Sequence, residues 1–186
     1  PAGLVPVEAL AIGDTVVTAS GSTVPVIWIG KQTVLPYFQP PERLSLVLVR
    51  AGALGDGLPV RDLHVTGDHA LLIDGMLINA AALINGHSID WVPPDTLGDR
   101  YVVYHVETEN HDLILAEGTP AETYVDHAAR AVFDNYQEYL DLYGAERPIR
   151  EMGYARIAAQ RMVPADIKAR LGCDAQDDVL DVRLLA

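Results

Sequence analysis

Two short segments hold most of the side chains able to do chemistry. The first, D-L-H-V-T-G-D-H-A-L-L at 62–72, contains T-x-x-H at Thr66 and His69, placed where one strand turns into the next. A tight turn at Gly67-Asp68 lets a hydroxyl and an imidazole converge on one atom, and such a pair can polarise a peptide bond and protonate its nitrogen. The second, V-Y-H-V-E-T-E-N-H-D-L at 103–113, reads as a strand ending in a polar turn, with His105 and His111 on its two sides. Either can serve as a second acid or base, because imidazole titrates near neutrality.

Each of these residues also has a plainer role open to it. Thr66 and Asp68 suit a β-turn, His69 a hydrogen-bonded place in the core, His105 a packed position within a strand, and His111 the turn itself. His64, His87 and His127 read as ordinary surface or core residues, and Cys173, beyond Gly172, as a structural thiol. A metal hydrolase is the chemical alternative, with His64, Asp68, His69, His105 and His111 as ligands. The spacing argues against it, since His64 and His69 lie five positions apart and would face opposite sides of a continuous strand.

The elements that must position these groups are mostly strands. Short β-branched and aromatic runs separated by turn residues occupy the first two thirds: 15–20, 24–29, 44–50, 62–66, 70–74, 76–79, 88–92, 101–107 and 113–117. Asp74-Gly75, between L-L-I and M-L-I, is the strongest two-residue hairpin signal. After Asp126, which suits an N-cap, the period changes: Val132, Phe133, Tyr136, Tyr139, Leu140 and Tyr143 fall at helical spacing, and Gly144 ends the run. A second helix is expected over 164–171, closed by Gly172. No element is assigned to 145–163, while 174–186 reads as a returning strand or a docking helix.

Composition narrows the function. With 186 residues, 49% hydrophobic and 21% charged, the chain can bury a core. Its apolar runs are far shorter than the roughly 20 residues of a membrane-spanning helix. Thirteen basic against 26 acidic residues give a formal charge of −13, which repels phosphate backbones and makes nucleic acid an unexpected partner. The single cysteine excludes an intrachain disulfide and a multi-cysteine zinc site. The first six residues, P-A-G-L-V-P, carry neither a basic nor a long apolar region, so a signal for export would lie outside them.

Taken together, V-P-V-E-A-L-A-I-G-D-T-V-V-T at 5–18, R-A-G-A-L-G-D-G-L-P-V-R-D-L-H-V at 50–65, T-G-D-H-A-L-L at 66–72 and V-Y-H-V-E-T-E-N-H-D-L-I-L-A-E-G at 103–118 resemble successive signature blocks of the Hint domain, shared by hedgehog autoprocessing domains and inteins. With A-E-G-T-P-A-E-T-Y at 116–124, the resemblance is closest to bacterial Hint modules. It implies a mostly β fold, a flat disc of long curved hairpins at 1–125, with a C-terminal helical extension at 126–186 packed on it. It also implies autocatalytic cleavage of a precursor: a first-residue cysteine, or sometimes a serine, attacks the preceding peptide bond, and an N-to-S acyl shift gives a thioester. Thr66 and His69 then stand where relatives activate that bond. His105 occupies the place of an assisting residue, often Asp, and His111 matches a further histidine of the same block. No cofactor is implied, and the partner is the domain's own upstream precursor segment, with a secreted or surface bacterial protein as the expected setting.

Two departures qualify the expectation. The usual opening, a cysteine followed by Gly-Thr and a short strand, is missing from P-A-G, so the chain as written has no acyl acceptor and no turnover is expected of it alone. An absent opening strand would also leave a sheet edge free to pair with another chain. At the other end, E-T-Y-V-D at 122–126 replaces the His-Asn close of inteins, which makes splicing improbable and leaves hedgehog-like release by water or another external nucleophile. A non-catalytic binding or assembly module on the same scaffold is the remaining alternative.

Overall fold

A computed structural model describes residues 3–38, 42–125 and 129–173. The expected N-cap Asp126, His127 and the tail 174–186 lie outside the described residues. The described residues form twelve strands: β1 (Thr15–Val17), β2 (Thr23–Pro25), β3 (Trp28–Val34), β4 (Leu46–Val49), β5 (Leu63–Thr66), β6 (Ala70–Ile73), β7 (Met76–Asn79), β8 (Ile89–Trp91), β9 (Tyr101–Glu107), β10 (Leu113–Ala116), β11 (Thr119–Glu122) and β12 (Ala155–Ile157). Two α-helices, α1 (Tyr136–Tyr143) and α2 (Ala165–Leu171), complete them. No described helix is long and apolar enough to cross a membrane.

The strands form four small sheets: β1–β2, β3–β9, β5–β4–β8, and a five-stranded sheet ordered β10–β11–β6–β7–β12. The β6–β7 hairpin turns at Asp74 (φ 48°) and Gly75 (φ 77°), both left-handed as a two-residue turn of this type requires. Glu117 (φ 47°) and Gly118 (φ 80°) do the same between β10 and β11. β11 then lies between β10 and β6, touching β6 in register at Ala121 and Leu71.

β3 pairs along its whole length with β9, Gly30 facing His105 and Trp28 facing Glu107. Its other edge would leave backbone donors open, and the two residues just before α1 cover it. Asp134 Oδ2 accepts from the Thr33 N–H (2.8 Å) and hydroxyl (2.7 Å), Asn135 Oδ1 accepts from the Lys31 N–H (2.9 Å), and the Asn135 amide donates to the Ile29 carbonyl (2.9 Å). These two side chains are committed to the strand, so the α-helix begins only at Tyr136. Gly144, left-handed at φ 75°, closes it with an N–H to the Leu140 carbonyl.

The main core joins strands and α2: Val47, Val49, Leu71, Ile78, Leu83 and Ile89 pack with Ile167 and Leu171. A second core joins β3 and α1 through Trp28, Tyr124, Phe133 and Tyr139, whose rings meet edge to face around Trp28. The chain after 125 is not helical throughout. In the stretch where sequence periodicity gave no element, β12 docks parallel to β7, with Ala155, Arg156 and Ile157 opposite Met76, Leu77 and Ile78.

Candidate functional site

Thr66 ends β5 and His69 precedes β6, so the turn between them is built by two strands of different sheets. The His69 N–H donates to the Thr66 carbonyl (3.0 Å), the Gly67 N–H to Ser45 (2.9 Å), and the Gly67 carbonyl accepts from Ala81 (3.0 Å). Gly67 has no room for a side chain: a Cβ there would lie 2.9 Å from the Glu42 carbonyl oxygen and 3.1 Å from the Trp91 ring. The turn is thereby clamped from both sides, with Thr66 buried and the His69 ring half-buried.

Opposite it, β9 presents His105. Its ring centroid is 6.5 Å from that of His69, 5.1 Å from Phe133 and 6.2 Å from Tyr124. Thr66, His69 and His105 line one cleft of about 310 Å³, together with Asn79, Glu122, Phe133 and Arg156. Asp68, exposed on the turn, reaches the same cleft.

His111 lies elsewhere. It does not line the cleft but sits buried behind it, at φ 54° in the turn after β9. Its Nδ1 accepts from the Met152 N–H (3.3 Å), which leaves the proton of the neutral ring on Nε2, and Nε2 stands 3.5 Å from Glu122 Oε2. His64 is exposed on β5, and Cys173 is buried in the main core with its thiol donating to the Leu83 carbonyl (3.3 Å). Among the described residues, no group of three or more His, Cys, Asp or Glu is arranged to hold a metal ion.

Two residues that sequence reasoning did not single out complete the site. Glu122, at the end of β11, is buried and held bidentately by Arg156 of β12, with Nη1 2.9 Å from Oε1 and Nη2 2.5 Å from Oε2. Glu122 Oε1 also accepts from the Ala70 N–H at 3.1 Å. Burial alone would raise the Glu122 carboxyl, but the Arg156 hydrogen bonds, with His111 and the surrounding positive charge, bring it down to about 2.

The imidazoles move the other way from a salt-bridged histidine. Burial depresses His69, opposed by the Glu122 charge and reinforced by Arg156. Burial, with His69 beside it, lowers His105 to about 4. Both residues are half-buried and line the cleft, so it offers two neutral imidazoles next to a neutralised ion pair. Neutral imidazole can accept a proton and return it, the property acid–base work at neutral pH needs.

Comparison with known proteins places the chain in a family. Two crystal structures of the MchDnaB-1 intein, one of an altered form, align at 18% identity; they cover 65% and 67% of this chain and 91% and 92% of theirs, with TM-scores of 0.46 and 0.47. No curated protein matches. A Hint-domain family model matches residues 1–128, a span that takes in Thr66, His69, His105 and Glu122 and stops short of Arg156. The chain belongs to the Hint-domain family of self-processing modules.

Proposed function

We propose that the chain is the autoprocessing domain of a larger precursor and that it cleaves without splicing. A nucleophilic cysteine or serine of an upstream segment attacks the preceding peptide carbonyl within the cleft. The S–C or O–C bond forms as the C–N bond breaks; neutral His69 takes the nucleophile's proton and hands it to the departing nitrogen, while the Thr66 hydroxyl polarises the bond. His105, neutral at physiological pH, then serves as base for the water or external nucleophile that releases the ester. His111 acts through Glu122 and not on the reacting atoms. Cys173 takes no part, because its thiol is committed to the core.

The observation that carries this reading is the meeting of Thr66 at the end of β5, His69 in the turn that follows and His105 on β9 in one cleft, with both imidazoles pushed toward the neutral form. The test is a precursor carrying an upstream domain and a cysteine-led opening segment, incubated with dithiothreitol. Release of the upstream domain, abolished when that cysteine is changed to alanine, is expected. An intact precursor under thiol would overturn the reading in favour of a binding module, and cleavage blocked by a chelator would favour a metal hydrolase.

A further inference from the structure

Arg156 is the one cation lining the cleft among the described residues, and it comes from beyond the span that matches the family. Its strand is fixed by backbone pairing to β7, and its guanidinium also reaches Asn79 Oδ1 at 3.5 Å. Charged and titratable groups face His69 from every neighbouring element: Asp68 on its own turn, His105 on β9, Glu122 on β11, His111 behind Glu122, and Arg156 on β12, with Glu151 acting on Arg156. A carboxylate at this depth, left unpaired, would favour a proton on the imidazoles around it, on His111 in contact behind it and, through its charge, on His69 at the cleft. The bidentate guanidinium cancels that pull.

We propose that Arg156 is a positioning residue of the cleft, supplied by β12: it caps the buried Glu122 carboxylate and so keeps His69 a neutral imidazole, free to accept a proton. The effect on cleavage rests on the autoprocessing reading; the effect on His69 protonation does not. An NMR titration of His69 in the full chain therefore separates the two. In Arg156→Met the His69 midpoint is expected to rise by about one unit or more. Arg156→Gln, which keeps a donor to Glu122 but no charge, carries the same expectation should the methionine variant fail to fold. Arg156→Lys restores the charge and should hold His69 near its original midpoint. The double variant Glu122→Gln/Arg156→Met removes both charges, and His69 should fall back. An unmoved His69 in the folded single variants, or an equal rise in the double, overturns the proposal. In a cleaving precursor, Arg156→Met should move the acidic edge of the rate profile up by the same interval and Arg156→Lys should restore it. A wild-type precursor that does not cleave defeats the autoprocessing reading, while the His69 titration still decides the role of Arg156.

Discussion

Replacing Gly30 by alanine should disturb the site through packing alone. Gly30 lies on β3 directly across from His105, and a Cβ there would stand 2.9 Å from Phe133 Cδ1 and 3.0 Å from Cγ and Cε1, where ordinary contact begins at 3.4 Å. Phe133 is 4% exposed and packed against Trp28, Tyr124 and His105 at centroid distances of 5.4, 5.5 and 5.1 Å, so the open space it borders is the cleft itself. The ring must withdraw by about half an ångström, and overpacking of this kind costs about 1–3 kcal/mol. The same withdrawal opens the wall that buries His105. Because burial is the main cause of its depression to about 4, His105 should rise by about one unit toward its ordinary 6.5. Urea denaturation measures the first effect and NMR titration the second. Adding Phe133→Leu relieves the clash, so the double variant should be more stable than the sum of the singles predicts by about 1 kcal/mol. Full stability in Gly30→Ala with His105 still titrating near 4 would refute the reasoning.

Three further outcomes are expected. Arg130 and Glu107 form a bidentate pair at 2.7 and 3.0 Å, with side chains 1% and 2% exposed and the guanidinium 4.5 Å from the Tyr139 ring centroid. Arg130→Met should cost about 3–5 kcal/mol in urea denaturation by stranding a buried carboxylate, and adding Glu107→Gln should recover most of it. Gly67→Ala sets a Cβ against the backbone oxygen of Glu42, which cannot swing away as a side chain can; a loss of about 1 kcal/mol or more and slower precursor cleavage are expected, and wild-type values in both assays would contradict the clamped turn. Acid should destabilise the fold in two stages. His105, lowered to about 4, contributes stability that is full above 6.5 and lost as pH falls toward 4; Glu122, lowered to about 2, contributes stability that is full above 4.5 and lost as pH falls toward 2. The two shifts set upper bounds of about 3 kcal/mol each, reduced by water at the open edge of the cleft. A urea midpoint flat from pH 7 to 3 would contradict both assignments.

What could be read from sequence, and what could not, follows from the range over which each signal acts. Asp74-Gly75 announced its hairpin because the turn depends on two adjacent residues. T-x-x-H placed Thr66 and His69 on a turn for the same local reason. His105 was legible as a strand residue, but its partner Gly30 lies 75 positions away, and nothing local says that a glycine there makes room for Phe133. β11 was obscured because Pro120 in T-P-A-E reads as a strand breaker, although here it pairs in register with Leu115. Glu122 at its end reads as a surface charge until Arg156 is seen, and Arg156 stands 34 residues later on a three-residue strand too short to show a period. The same holds at α1, where periodicity from Val132 onward suggested an earlier start and the capture of Asp134 and Asn135 by β3 delays it. Local chemistry was visible; the pairs that tune it depend on tertiary contact.

The central claim is that the imidazole at position 69 carries the proton that lets the scissile bond break. The rate of thiol-induced release from a cysteine-led precursor, compared between wild type and His69→Ala and followed by intact-protein mass spectrometry, tests it most directly. A fall of about 10²–10⁴-fold with the fold preserved, and a smaller fall for Thr66→Ala, is the expected result. Release at an undiminished rate without His69 would contradict that claim.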